Sequence, residues 1–438
     1  MADLRVAEVR VTPVLVADPP LLNLQGVHQP HTPRVIVEVE TEDGVVGLGE
    51  TYGDDDYVEP LRKVAELLPG RSVASPNELE RLVAEVVDGD AVDEALADDL
   101  QARRLFGRQS LAKLRAIVVS ALEVAFLDAM GRALDLPVHR LLGGKVRDRV
   151  DFAGYLFYRW DRHPAGAPSG GASAGLPADD WGPALDPAGV VAQAGRMIEE
   201  YGFASLKLKG GVFPPDQEIA AIRELRAVFA GVPLRLDPNG AWSVETGVRV
   251  AEALRDDVEY LEDPCTGVEA MAEVHRRTGV PLATNMCVTS MEEISAAFRS
   301  DAVQVVLSDH HFWGGLRATQ ALASVCRAFG VGLSMHSNTH LGISLAAMTH
   351  AAACVPGPLR ACDTHRPWQA EDVITEPHVF TGGALTVPDT PGLGVELDRA
   401  ALARLHDRWL AAGVRSRDDV AAMRVVDPGW TAPSVPRW

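Results

Sequence analysis

From Val150 onward, short apolar segments alternate with amphipathic helical stretches, and most of the apolar segments end on a polar residue. The expected strands are Val150–Tyr155, Ser205–Lys209, Leu234–Asp237, Tyr260–Glu262, Leu282–Asn285, Val303–Ser308, Gly332–Met335 and Leu359–Asp363, with helices such as 217–229 and 244–255 between them. Eight such units close into a parallel α/β barrel, which puts every strand's C-terminal end on one rim, the face where such barrels do chemistry. Lys209, Asp237, Glu262, Asn285, Asp309 and His336 recur at steps of 23 to 28 residues, one strand–helix unit each. Any one of them alone reads more simply as a helix N-cap or a solvated strand end. Their recurrence brings them to one rim.

The rest of the chain supplies a second, smaller unit. Residues 4–16 and 34–50 alternate apolar and polar as strands do, and Glu42-Asp43-Gly44 gives the turn between Val35–Glu40 and Val45–Glu50. A polar loop, Asn23 to Arg34, joins these strands. The longest helix is expected over 110–134, with Leu111, Leu114, Val118, Leu122, Ala125 and Phe126 on one face. The Gly/Ala/Pro-rich loop 161–187 reads as a lid or a disordered flap. After Pro391-Gly392-Leu393-Gly394, a helix over 399–412 and a Pro/Trp-rich tail are expected to pack back on the N-terminal unit. The expected division is 1–149 as an α+β cap, 150–390 as the barrel and 391–438 as the returning segment.

Composition narrows the function. At 47% apolar and 23% charged, 438 residues bury a sizeable core. The net charge of −20 argues against nucleic-acid partners and anionic membrane surfaces. It also requires a locally cationic pocket for any anionic substrate. Five scattered cysteines without a C-x-x-C pair fit reduced thiols. The N-terminus opens a strand and not a signal peptide, and no apolar run is long enough to span a membrane, so a cytoplasmic protein is expected.

The chemistry centres on Lys207-Leu208-Lys209. Two lysines two residues apart on a strand point the same way. Their mutual repulsion is expected to make at least one of them give up its proton more easily than a solvated lysine does. Asp237, Glu262 and Asn285 end three consecutive strands and offer oxygen-only ligands, the donor set of a hard cation such as Mg²⁺.

These motifs resemble the enolase superfamily and, within it, the glucarate dehydratase group. The resemblance rests on Lys207-Leu208-Lys209-Gly210-Gly211-Val212, Asp237-Pro238-Asn239-Gly240-Ala241-Trp242, Glu262-Asp263-Pro264-Cys265, Ala283-Thr284-Asn285-Met286, Asp309 with His311-Phe312-Trp313, His336-Ser337-Asn338 and Cys362-Asp363-Thr364-His365. It extends to Gly154-Tyr155-Leu156-Phe157-Tyr158 and Pro391-Gly392-Leu393-Gly394. It implies a modified (β/α)7β barrel with an α+β cap, and Mg²⁺ held by Asp237, Glu262 and Asn285. It further implies Lys209 as a base with Lys207 as its charge partner, an Asp309–His336 dyad on the opposite face, and a homo-oligomer. The substrate contacts it implies are Asn23, His28, Tyr155, Lys207, Asn239, Asn285, Asn338, His365 and Arg417.

Two departures bear on the substrate. The loop Thr266-Gly267-Val268-Glu269 is short and lacks an acidic residue in its first positions, which leaves Glu262 as the ligand. Where the group offers threonines, this chain reads Leu114-Arg115-Ala116; Arg115 either pairs with a second substrate carboxylate or faces solvent. The expected activity is that of a hydro-lyase on an acid sugar, a dicarboxylate such as D-glucarate, giving 5-keto-4-deoxyglucarate, with epimerisation open to a two-base site. Racemisation or dehydration of another hydroxy acid, and a non-catalytic paralogue, are the alternatives.

Overall fold

The computed structural model describes residues 4–89, 111–167 and 179–438. Strand β1 (Val6–Ala17) leads through a small hairpin, β2 (Leu22–Asn23) and β3 (Gly26–Val27), to β4 (His31–Thr41) and β5 (Val46–Tyr52). β1, β4 and β5 form one antiparallel sheet in that order. Alternation along β4 sorts its two faces. Val35, Val37 and Val39 pack on Val118, Leu122 and Phe126 of the long helix Leu111–Leu134, whereas Ile36 joins the core shared with the barrel. The helix backbone runs against β5 itself: a Cβ on Gly47 would sit 2.0 Å from the carbonyl of Ala125, and one on Gly49 2.2 Å from that of Ala121. Only glycine allows that approach.

The barrel consists of eight parallel strands: β6 (Arg149–Phe157), β7 (Leu206–Lys209), β8 (Leu234–Asp237), β9 (Tyr260–Glu262), β10 (Leu282–Thr284), β11 (Val305–Ser308), β12 (Gly332–Met335) and β13 (Cys362–Thr364). Neighbours pair in sequence order from β6 to β12, and β13 pairs with β6. The remaining seam, β12 to β13, carries a bond from Arg360 N to Leu333 O (2.9 Å), so the barrel is nearly closed. β14 (Ala384–Thr386) pairs antiparallel with β6. Each strand from β6 to β12 is followed by at least one helix, and β13 only by a 3₁₀ turn, Arg366–Trp368. Leu206, Leu208, Leu234 and Leu236 join the core under the helices; Lys207, Lys209, Arg235 and Asp237 alternate with them and turn into the lumen.

Several expected bounds shift by a residue or two, most of all the last strand, which starts at Cys362 and not Leu359. Within the loop 161–187, residues 168–178 lie outside the described residues, as does Ser110 at the expected start of the long helix. The far arm of that loop packs back on the barrel: Ala184 and Arg159 exchange backbone hydrogen bonds at 3.0 Å, and Arg159 pairs with Asp179. The helix Arg399–Ala412 lies on β1, with His406 Nδ1 donating to Pro13 O (2.7 Å) and Arg408 to Leu15 O (3.1 Å). Arg417 N then donates to Asp54 Oδ1 (2.8 Å). Among the described residues, no helix is long and apolar enough to cross a membrane.

Candidate active site

Strand register assembles the centre of the barrel mouth. Lys209 lies opposite Asp237 in the β7–β8 ladder, and its Nζ reaches Asp237 Oδ2 at 2.6 Å. The two glycines after Lys209 let the chain turn sharply there. Gly211 has φ +73°, and a Cβ on it would meet Pro238 O at 2.4 Å. Lys207, fully buried, donates to Asp363 Oδ2 (2.7 Å), and its Nζ lies 2.6 Å from Glu262 Oε2 and 3.6 Å from Asp237 Oδ2. Its ammonium also lies 4.6 Å from the Tyr155 ring centroid.

Burial alone would lower the pKa of Lys207, but the carboxylates of Asp363 and Glu262 outweigh it and hold the ammonium well above the ordinary lysine value. The neighbouring lysine is not the charge that dominates its surroundings. Strands β9 and β13, distant in sequence, supply the charges that do.

Three buried carboxyl groups, Asp237, Glu262 and Asp363, crowd around two ammoniums, and a fourth, Asp263, is buried in the next position after Glu262. Burial raises the Glu262 carboxyl well above its ordinary value; Lys207 opposes this, while Asp237 and Asp363 add to it. Burial likewise pushes Asp263 up to about 7, and Asp237 contributes in the same direction. Glu262 Oε1 and Asn285 Oδ1 are buried and accept no hydrogen bond. Asp263 accepts from Asn285 N (2.9 Å), which fixes that loop. Excess negative charge and orphaned oxygens on three adjacent strand ends fit a hard divalent cation held by Asp237, Glu262 and Asn285.

On the other side of the mouth, His336 Nδ1 meets Asp309 Oδ2 at 3.1 Å, leaving Nε2 for the pocket. Asp309 also caps the short helix His310–Trp313 through His311 N (3.0 Å). Asp309 raises the basicity of His336, but burial lowers it by more, and the imidazole sits below the ordinary histidine value.

The remaining expected contacts divide into two groups. Tyr155, Asn239 and His365 lie on the rim: Tyr155 OH is 3.4 Å from Asp237 Oδ2, and the His365 and Tyr155 ring centroids are 4.9 Å apart. Asn239, at φ +54°, donates from Nδ2 to Met286 Sδ (3.4 Å). Asn338 is half-buried, two residues beyond His336. Asn23, His28 and Arg417 gather in the cap on two acids that the sequence reading did not single out. Asn23 donates to Asp419 (2.7 Å), Arg417 pairs with Asp419 (2.9 Å), and His28 Nδ1 lies 3.3 Å from Asp18. The cluster meets the rim through Phe157, whose ring lies 6.0 Å from His28 and 5.5 Å from His365.

Of the two readings of Arg115, the solvent-facing one fits: its side chain is 36% exposed and pairs at the surface with Asp88 of the cap. A separate cavity of about 710 Å³ is lined by Asp18, His163, Trp181 and Trp368 among others, and its walls do not include Lys209 or His336. Two residues that sequence reasoning missed stand out. Asp363 follows His336 by the same step that separates the other strand ends, so the periodicity could have found it. Tyr52, whose hydroxyl donates to Asp309 Oδ2 at 3.0 Å, comes from the cap and carried no comparable signal.

Comparison with known proteins agrees with this geometry. Residues 6–143 match the mandelate racemase / muconate lactonizing enzyme N-terminal domain, and residues 189–401 the enolase C-terminal domain-like family. A probable glucarate dehydratase of Streptomyces coelicolor is 62% identical across the whole of this chain and 99% of its own length. Among solved structures, an enolase from Thermobispora bispora complexed with magnesium and formate superposes with TM-score 0.92 at 51% identity, covering 99% of this chain and 100% of that one. One from Pseudomonas fluorescens with bound magnesium, potassium and tartrate gives 0.94 at 46%, covering 100% of both chains. The chain therefore belongs to the enolase superfamily and, within it, to the glucarate dehydratase-like hydro-lyases.

Proposed function

We propose that this enzyme is a Mg²⁺-dependent acid-sugar dehydratase whose substrate is a hexarate, D-glucarate first among candidates, and whose product is 5-keto-4-deoxyglucarate. The observation that carries the reading is the opposition of two proton-transfer groups, Lys209 on β7 and His336 after β12, across a mouth whose carboxylates and orphaned oxygens fit a divalent cation. The full-length likeness to a probable glucarate dehydratase supports the substrate class, as do the tartrate and formate bound by the solved relatives.

Removing the proton α to a carboxylate places a second negative charge on the substrate, which is prohibitive in water. Held by Asp237, Glu262 and Asn285, Mg²⁺ would supply positive charge against that developing enediolate. Lys207, kept protonated by Asp363 and Glu262, adds a fixed positive charge beside it. Lys209 Nζ takes the α-proton from one face and His336 Nε2 from the other. A buried, neutral His336 is a base at rest; once it holds the α-proton, it returns a proton to the departing β-hydroxyl, which leaves as water. The two faces also allow epimerisation at the α-carbon.

The test is a panel of mono- and dicarboxylic sugars with Mg²⁺, read by keto-acid formation. Turnover of a hexarate supports the reading. If monoacids react while no diacid does, the substrate class is wrong; if nothing reacts and no α-proton exchanges with solvent deuterium, the dehydratase reading fails altogether.

A further inference from the structure

Asp309 is almost fully buried, yet donors surround it from separate parts of the chain. On Oδ1 it accepts from His311 N (3.0 Å) and His311 Nδ1 (2.8 Å). On Oδ2 it accepts from Tyr52 OH (3.0 Å) and His336 Nδ1 (3.1 Å), with His340 Nε2 at 3.6 Å. Arg34 and Lys113 add positive charge nearby, Arg34 lying 4.8 Å from the Tyr52 ring centroid and Lys113 4.1 Å from that of Phe312.

Tyr52 closes the cap strand β5, 257 residues from Asp309 in sequence. Its ring is stacked on Phe312, with centroids 5.2 Å apart and planes 14° apart, so the hydroxyl is held in place by packing on both sides of the cap–barrel junction. The phenol stays a donor: burial raises its pKa well above the ordinary value, and the Asp309 charge raises it further. His311, by contrast, has both ring nitrogens engaged, Nδ1 on Asp309 and Nε2 against Ser344 Oγ (3.0 Å). His310 and His340 pack beside it, the His311 and His340 ring centroids 4.7 Å apart.

We infer that Tyr52 is a positioning residue for the His336 side of the reaction: by sharing Asp309 Oδ2 with His336 Nδ1, it fixes the carboxylate that orients the imidazole. The cap then contributes to catalysis through the orientation of one of the two bases, in addition to covering the mouth. Without the hydroxyl, Oδ2 keeps His336 as its one close donor, and the carboxylate is held only through the two His311 bonds on Oδ1, so the oxygen that faces the imidazole is less tightly placed. This inference rests on His336 being one of the two proton-transfer groups.

Tyr52→Phe keeps the ring stack and removes only the donor. The informative readout is solvent-deuterium exchange at the α-carbon of two substrate epimers, one presenting its proton to His336 and the other to Lys209. Exchange on the His336 face should fall about ten-fold, as for comparable supporting hydrogen bonds, while the Lys209 face stays within about two-fold. An equal fall on both faces would reveal a merely structural role, and no fall on either would remove Tyr52 from the mechanism; both overturn the inference. Should no acid sugar exchange even in the wild-type enzyme, the dehydratase reading fails by itself. The ¹⁵N-histidine spectrum of Tyr52→Phe then decides separately. The His336 Nδ1–H resonance should exchange faster with solvent than in the wild type, and an unchanged resonance refutes the positioning role.

Discussion

Lys207 Nζ lies 2.7 Å from Asp363 Oδ2, a contact that spans the β13–β6–β7 junction and fixes the first lysine of the pair as a permanent charge. Replacing it by methionine keeps much of the volume and strands Asp363, Glu262 and Asp237 with one fewer counter-charge. Breaking a buried ionic contact by removing one partner typically costs about 3–5 kcal/mol. Urea unfolding of the metal-free Lys207→Met protein should show a loss of that order. A loss below about 1 kcal/mol would mean that these carboxyl groups are already protonated in the fold.

Added Mg²⁺ should stabilise the wild-type protein, because the orphaned oxygens of Glu262 and Asn285 and the crowded carboxylates favour the bound state. At a concentration 100 times the dissociation constant, the gain is about 2.7 kcal/mol. Thermal unfolding with and without Mg²⁺ measures it, and Asn285→Ala should reduce the shift. A melting temperature indifferent to Mg²⁺ contradicts the site.

Repetition is what made the rim legible in the sequence. The period-2 alternation in Leu206-Lys207-Leu208-Lys209 and the strand–helix spacing locate six rim residues on consecutive strands, and the structure brings them to one mouth. Groups that meet by tertiary packing alone left no such trace. Tyr52 reaches Asp309 from the cap sheet, Asp419 meets Asn23 across 396 residues, and Arg115 finds Asp88 on a neighbouring cap helix. The lysine pair shows the limit most clearly. Adjacent like charges drew attention to the pair, whereas the field at Lys207 is set by Asp363 and Glu262, 156 and 55 residues further along.

The two bases should separate by face. Lys209→Ala should abolish α-proton exchange from one substrate epimer, and His336→Gln should stop reaction of the other, each by about 10²–10⁴-fold. Deuterium incorporation followed by NMR on both epimers resolves this. If either variant slows both faces equally, the opposed-base arrangement is wrong for this substrate; full turnover in Lys209→Ala removes that residue as a base.

The pH dependence of stability has a source far from the mouth. His350, on the helix Gly342–Ala353, accepts from His139 N at Nδ1 (3.2 Å) and donates from Nε2 to Leu393 O (3.1 Å), a pairing that only the neutral imidazole satisfies. Burial pushes its pKa down to about 4, from an ordinary value of 6.5. Between those two values the unfolded chain binds a proton that the native protein does not, so stability falls as pH falls from 6.5 towards 4 and this residue contributes no slope above 6.5. One such group gives about 1.4 kcal/mol per pH unit inside that window. His31 and His311, also held near 4 with burial as the first cause, act in the same direction, whereas Glu123, raised to about 7 by burial, opposes them between its unfolded value of 4.5 and 7. Measuring denaturant midpoints at pH 5, 6 and 7 for wild type and His350→Asn isolates the term. The variant's stability should depend on pH less steeply by about 1.4 kcal/mol per unit between pH 5 and 6, whatever its absolute stability. Parallel curves over that window would show that His350 carries its proton in the folded protein.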